Sequence, residues 1–267
     1  MKAVSLASGS KGNCYFISTD KTKILIDDGI NIKELCEKLE LLKTNPQDID
    51  AIFITHEHDD HIKGLQTFLK SYSPKIFIHN DCVNSANQKL KNSLKNVKTF
   101  SDNENITLND LLIENFSQSH DSKHCNGFSI YSNDAKVSIS TDIGIANQNQ
   151  VNHLNNSNLV YLEANHDVNL LLDNLNYPAF LKRRILSNKG HLSNKESADI
   201  IENLSYNKVS QVVLSHLSEE NNSPSLAYNY IKNELLDKNI VEGKDIFIDV
   251  ASQYKVGTIF NISKNNY

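Results

Sequence analysis

The chain of 267 residues has no tryptophan, one methionine, four prolines and nine glycines. With so few breakers there is no Pro/Gly/Ser-rich stretch to act as a linker, and the asparagine and lysine bias is spread along the whole length. One domain covering 1–267, large enough to bury a substantial core, is therefore expected. Cysteine is also scarce. Cys14, Cys36, Cys82 and Cys125 include no CxxC pair, so reduced thiols are expected rather than a disulfide framework. No segment approaches the roughly 18 apolar residues of a spanning helix. The opening "MKAVSLASGS" lacks the apolar stretch of a signal peptide, and a cytoplasmic protein with no membrane partner is expected. Positive charge is in deficit: 27 Lys and Arg stand against 32 Asp and Glu, a formal net charge of −5. No global field draws in a polyanion, so any such ligand must be held locally.

What is present is an alternation of short β-type runs and helical patterns. "KAVSLA", "NCYFIST", "KILID", "AIFIT" and "KIFIH" fill the first third, interrupted by the helical "IKELCEKLELL" and by a helix after His61. "NITLNDLLIENFS" reads as a hairpin turning at Asn109–Asp110, followed by "CNGFSIYS", "AKVSIST", "NLVYLEA" and "KVSQVVLSH". Helices over "NKESADIIENL" and "SLAYNYIKNELL" and closing strands "DIFIDV" and "KVGTIF" complete a layered α/β pattern in which helices cover sheet faces.

The densest chemistry lies in "IFITHEHDDHIKG", where residues 56–61 are three histidines and three acids directly after an apolar run. His56 and His58 are two apart, so a chain still extended there points both imidazoles the same way. Asp60 and His61 begin the next helix and approach from another direction. Mixed nitrogen and oxygen donors suit Zn, Mn or Fe better than Ca or Mg. Without a metal, so many ionisable groups would oppose one another's charge and desolvation.

"THEHDDH" resembles the HxHxDH signature of the metallo-β-lactamase-fold hydrolases, and the rest of that pattern occurs downstream in order. Asp27 in "KILIDDG", His120 in "FSQSHDS", Asp142 in "SISTDIG" and His216 in "VVLSHLS" each end a β-type run. The resemblance implies an α/β fold, a four-layer αββα sandwich with the site at one edge of two sheets. It also implies two divalent metal ions: His56, His58 and His120 on one, Asp60, His61 and His216 on the other, and Asp142 bridging. Asp27 would fix the second nitrogen of a ligand histidine. Two such ions generate a bridging hydroxide nucleophile at neutral pH, which Asp60 would orient. More narrowly, "SLASGSKGNCYFI", "LEANHD", "LKRRILSNKGHLSN" and "SHLSEENNSP" resemble the WalJ/YycJ subgroup of bacterial proteins, which implies a 5′-to-3′ exonuclease with DNA as partner.

A departing oxygen needs a proton. Glu163 ends the run in "YLEANHD" and His191 sits in "KGHLSN", and a Glu163–His191 hydrogen bond would hold the histidine as donor. His166 is an alternative partner. Ser8, Ser10 and Asn13 in "LASGSKGN" are candidate phosphate contacts, since such a loop can turn backbone N–H groups toward an anion. Lys182, Arg183 and Arg184 form the densest basic run and are candidates for the same role. His79, His124 and His153 lie outside the pattern and are expected to be structural. Aromatic content is 7 %, with no interleaved basic and aromatic stripe, which favours duplex or phosphate-end recognition over tracking along a single strand. Three function classes follow: a nucleic-acid phosphodiesterase, a small-molecule hydrolase opening a lactone, thioester or cyclic phosphodiester, and a sensor. The unbroken ligand set and the basic run near His191 favour the first. Only about seventy residues separate Asp142 from His216, and the fold needs most of them, so a nucleic-acid clamp must come from loops or a second subunit.

Overall fold

The computed structural model describes residues 1–133 and 135–263. Strands β1 (Lys2–Ala7), β2 (Cys14–Ser18), β3 (Lys23–Ile26), β4 (Ala51–Phe53), β5 (Lys75–His79) and β6 (Val97–Phe100) form one sheet. The short β14 (Phe260–Asn261) adds outside β1, giving the order β14-β1-β2-β3-β4-β5-β6. The second sheet contains β7 (Asn105–Leu108), β8 (Leu111–Gln118), β9 (Cys125–Ser132), β10 (Ala135–Ser140), β11 (Leu159–Glu163), β12 (Gln211–Ser215) and β13 (Phe247–Val250), in the order β13-β12-β11-β10-β9-β8-β7. β3 to β6 run parallel, as do β10 to β13.

Most strands are buried on both faces because each sheet has a neighbour on either side. Between the sheets, Tyr15, Ile26, Phe53 and Phe77 of the first meet Ile113, Phe128, Ile139 and Tyr161 of the second. On the outer face of the first sheet pack α1 (Ile32–Leu41), α3 (Leu65–Ser71) and α4 (Val83–Lys89), through Leu35, Leu39, Phe68 and Ala86. On the outer face of the second pack α8 (Asn194–Tyr206) and α9 (Pro224–Asp237), through Ile201, Leu204, Ile231 and Leu235. The expected four-layer αββα sandwich is what forms. The remaining helices are short: α2 (Asp59–Ile62), α5 (Gln148–Leu154), α6 (Val168–Asp173) and α7 (Ala179–Ile185).

The Asn109–Asp110 hairpin turn stands as expected, with Asn109 at φ 52°. "KVGTIF" differs: only Phe260–Asn261 is strand, because Gly257 N–H is already held by Ser5 O at 2.9 Å, off the ladder that β14 makes with β1. Among the described residues no helix is long and apolar enough to cross a membrane.

Candidate metal centre

All the functional side chains come from one edge, because parallel strands send their carboxyl ends the same way. Asp27 follows β3, His56 and His58 follow β4, His120 follows β8, Asp142 follows β10, Glu163 ends β11 and His216 follows β12. Asp27, Asp142 and His216 lie in the left-handed region at φ 61°, 64° and 55°, a conformation non-glycine residues hold only where the surroundings enforce it. Each strand thus turns sharply to aim its last polar side chain inward.

Which nitrogen each candidate ligand histidine can offer a metal is set by what its other ring nitrogen does. His61 Nδ1–H donates to Asp27 Oδ2 at 2.7 Å, His216 Nδ1–H to Glu163 Oε1 at 2.8 Å, and His120 Nδ1–H to the Gly190 carbonyl at 3.1 Å. His56 Nδ1 lies 3.1 Å from Thr55 Oγ1, whose own hydrogen goes to Asp27 Oδ2 at 2.9 Å. In their neutral form all four then carry the lone pair on Nε2. His56, His58 and His120 present donor atoms within 4.8 Å of one another, and so do Asp60, His61 and His216. Asp142 stands between the groups, with Oδ2 3.2 Å from His61 Nε2 and Oδ1 3.7 Å from His120 Nε2.

These residues fit divalent ions. His56 Nε2, His216 Nε2 and Asp142 Oδ2 are buried and make no hydrogen bond to the protein, which is costly for polar atoms unless a ligand meets them. Burial, reinforced by His61, pushes His56 well below the usual histidine range, the neutral form a metal requires. The other side is anionic. Burial opposes a charge on His216, but Asp142, Asp60 and Glu163 outweigh it and raise its pKa to about 10. The same carboxylates are the negative charge a cation there would meet.

Glu163 is fully buried, and its Oε1 accepts from His191 Nδ1–H at 2.9 Å, from His216 Nδ1–H and from Asp142 N–H at 3.2 Å. Oε2 takes the N–H groups of Ile143 and Leu192, each at 2.9 Å. Burial works against ionisation here, but His191 and His216 hold the carboxyl at about 2. The expected Glu163–His191 hydrogen bond is present, and because protein donors take both of its oxygens Glu163 acts through His191 and His216, with no free oxygen for a substrate. His191 does line the cleft, with its Nε2 side free.

The cleft above the ligands, of about 220 Å³, is lined by Ser10, His58, Asp60, His120, Asp142 and His191, together with Asp121, Asn165, Tyr177, Leu181, Arg184 and Ser218. The candidate phosphate contacts divide accordingly. Ser10 and Arg184 reach the cleft, and Arg184 pairs with Asp121 across its mouth. Ser8 does not: it is buried, bonded to the Tyr15 hydroxyl at 2.8 Å, and accepts the His216 N–H. Asn13 is fully buried, its Nδ2 3.3 Å from Asp60 Oδ2 and 3.1 Å from His61 Nε2, and is not part of the cleft lining. Lys182 turns its Nζ to the Leu172 carbonyl at 2.5 Å, and Arg183 stands outside the cleft lining. His166 is buried with neither ring nitrogen bonded and is not Glu163's partner.

Comparison with known proteins gives the fold and site a family. The model of the metallo-beta-lactamase superfamily matches residues 7–191. The chain belongs to that superfamily. This metallohydrolase is 33 % identical over 251 residues to a protein named exodeoxyribonuclease WalJ from Streptococcus pneumoniae, covering 90 % of each chain. It is 31 % identical over 240 residues to exodeoxyribonuclease YycJ from Bacillus anthracis, with the same coverage. Among solved structures it resembles Zn(2+)-bound PqqB from Methylobacterium extorquens, with TM-score 0.75 and 12 % identity, covering 98 % of this chain and 100 % of that one.

Sequence reasoning missed Asp121, Thr55 and the Gly190 carbonyl. Asp121 adjoins His120 and Thr55 adjoins His56, so adjacency was the only available signal. The carbonyl carries none, because any residue at 190 has one.

Proposed function

We propose that the protein is a binuclear metal-dependent phosphodiesterase, an exodeoxyribonuclease that removes nucleotides from the 5′ end. The observation that carries this reading is similarity across 90 % of both chains to proteins named exodeoxyribonucleases, in a chain whose ligand set is unbroken. His56, His58 and His120 would hold one ion, Asp60, His61 and His216 the second, with Asp142 shared. Two divalent ions there would lower the pKa of water toward neutrality and stabilise charge on a phosphoryl oxygen. The donor set suits Zn, Mn or Fe.

The chain's own groups do the rest. Asp60 is kept ionised, since His61 and His216 overcome the opposing effect of burial, and its carboxylate accepts a hydrogen bond from the attacking water and orients it. His191, held through Nδ1 by Glu163, presents Nε2 to the cleft and supplies the proton to the departing oxygen. Arg184 leaves Asp121 to meet a phosphate oxygen.

The test is cleavage of end-labelled duplexes, with and without a 5′-phosphate, by protein loaded with Mn or Zn. Nucleotide release from the 5′ end is expected. It should be abolished in Asp142→Asn and slowed by roughly 10²–10⁴ in His191→Ala. No cleavage of DNA by protein that holds two metals would overturn the reading and turn the search to lactones, thioesters and cyclic phosphodiesters.

A further inference from the structure

Between Asp167 and Lys189 the chain leaves the sandwich and returns as an arm made of α6 and α7. Six of the fourteen large apolar side chains exposed among the described residues belong to it: Val168, Leu170, Leu172, Leu175, Phe180 and Leu186. Leu175 is 98 % exposed and Phe180 66 %, and α7 has no buried residue. Residues 167–189 carry four cations, Lys182, Arg183, Arg184 and Lys189, against two acids, Asp167 and Asp173 at its first helix, in a chain of net charge −5. Water-exposed apolar groups at this density mark an interaction surface.

The arm is anchored where the chemistry is. At its start, Asp167 N–H is held by the Asn221 carbonyl at 2.9 Å and Asn174 Nδ2 by Asn221 Oδ1 at 2.7 Å. At its end, the Asn188 carbonyl accepts from Ser119 Oγ at 2.6 Å, and His191 N–H donates to the Ile185 carbonyl at 3.0 Å. Its inner side supplies Tyr177, Leu181, Arg184 and Ile185 to the cleft wall. A surface that is apolar, cationic and continuous with the metal cleft matches a chain of bases joined by phosphates. A second copy of the protein matches it poorly, because a two-fold contact through this face would bring the cations Arg183 and Lys189 toward their own equivalents.

We infer that residues 167–189 are the nucleic-acid-binding arm of this enzyme: Leu175 and Phe180 pack against the bases of an unpaired strand end, and Arg183 and Lys189 contact its phosphates. The inference rests on the phosphodiesterase reading and supplies the clamp that the sandwich itself lacks.

The experiment compares the Mn-loaded wild type with Leu175→Ser/Phe180→Ala and with Arg183→Gln/Lys189→Gln. The probe is a fluorescent single-stranded oligonucleotide with phosphorothioate linkages, and bis(p-nitrophenyl) phosphate serves as a small substrate. The apolar pair is expected to weaken oligonucleotide binding about ten-fold or more, as loss of base packing does. The cationic pair should lower the slope of log affinity against log salt by about 1.4, roughly 0.7 for each lost phosphate contact on a single strand. For both, kcat/KM on DNA should fall about ten-fold further than on the small substrate. Equal losses on the two substrates with unchanged oligonucleotide affinity would overturn the arm's role. So would a dimer in sedimentation that the variants dissociate without altering affinity, which would assign the arm to a second copy. Hydrolysis of neither DNA nor the small substrate by the wild type would instead remove the phosphodiesterase reading on which the inference stands.

Discussion

Each candidate ligand histidine has two ring nitrogens, and at His56, His61, His120 and His216 the protein decides which one is left for a metal by giving the other an acceptor. Asp27 is shared in this way by His61 and, through Thr55, His56, while Glu163 is shared by His216 and His191. Asp28, next to Asp27, shows the opposite condition: it is buried and neither carboxyl oxygen has a partner. Burial, with Asp27 beside it, raises its pKa to about 8. A carboxyl whose folded value lies above its unfolded one binds an extra proton in the native state between the two values. Asp28 therefore leaves stability intact near pH 4 and erodes it as pH rises toward 8, at about 1.4 kcal/mol per pH unit at most. Asn mimics the protonated form. Asp28→Asn should melt at least ~3 °C above wild type at pH 9 and show no gain at pH 4, as followed by circular dichroism. A gain of equal size at both pH values would refute a titrating Asp28.

At the scale of the element, the site depends on loops packed backbone to backbone behind the strand ends. Gly29 is the tightest point: a Cβ there would lie 1.6 Å from the Asp60 carbonyl oxygen and 2.7 Å from Asn13 N. Those atoms are themselves joined, Asn13 N–H donating to Asp60 O at 2.8 Å, so neither can give way without moving a ligand. Gly29→Ala should cost more than about 3 kcal/mol, as overpacking against fixed backbone does, and lower metal content measured by mass spectrometry of the folded fraction. Normal metal content and stability would show that the loop yields. Some of this level was legible beforehand. The β-type runs, the Asn109–Asp110 turn and a helix beginning near Asp60 follow from period and turn chemistry. The α6–α7 arm was not, because its exposed leucines have the spacing of an ordinary buried face, and only folding shows that no partner covers them.

Across the whole molecule, two sheets supply one site, with Asp27, His56, His58, Asp60 and His61 from the first and His120, Asp142 and His216 from the second. Ions held between the halves would bind the folded chain and not the unfolded one, and so would act as cross-links. Removing two ions present at about a hundred-fold above Kd should cost on the order of 5 kcal/mol and lower Tm by roughly 10–20 °C. Calorimetry before and after EDTA checks this, and an unchanged Tm would show that the folded chain holds no such ions. The sequence by itself determined the ligand types, their order and their position after β-type runs, because strand ends are local and HxHxDH is contiguous. It also determined a layered α/β fold, since hydrophobic period is a local property. Only the tertiary structure decided that Ser8 and Asn13 sit against His216 and His61 rather than face the cleft, that Glu163 holds His216 as well as His191, and that Asp121 pairs with Arg184. Each of those is a contact between segments far apart in the chain, fixed by how two sheets pack, and no local pattern encodes which side of a residue ends up facing the void.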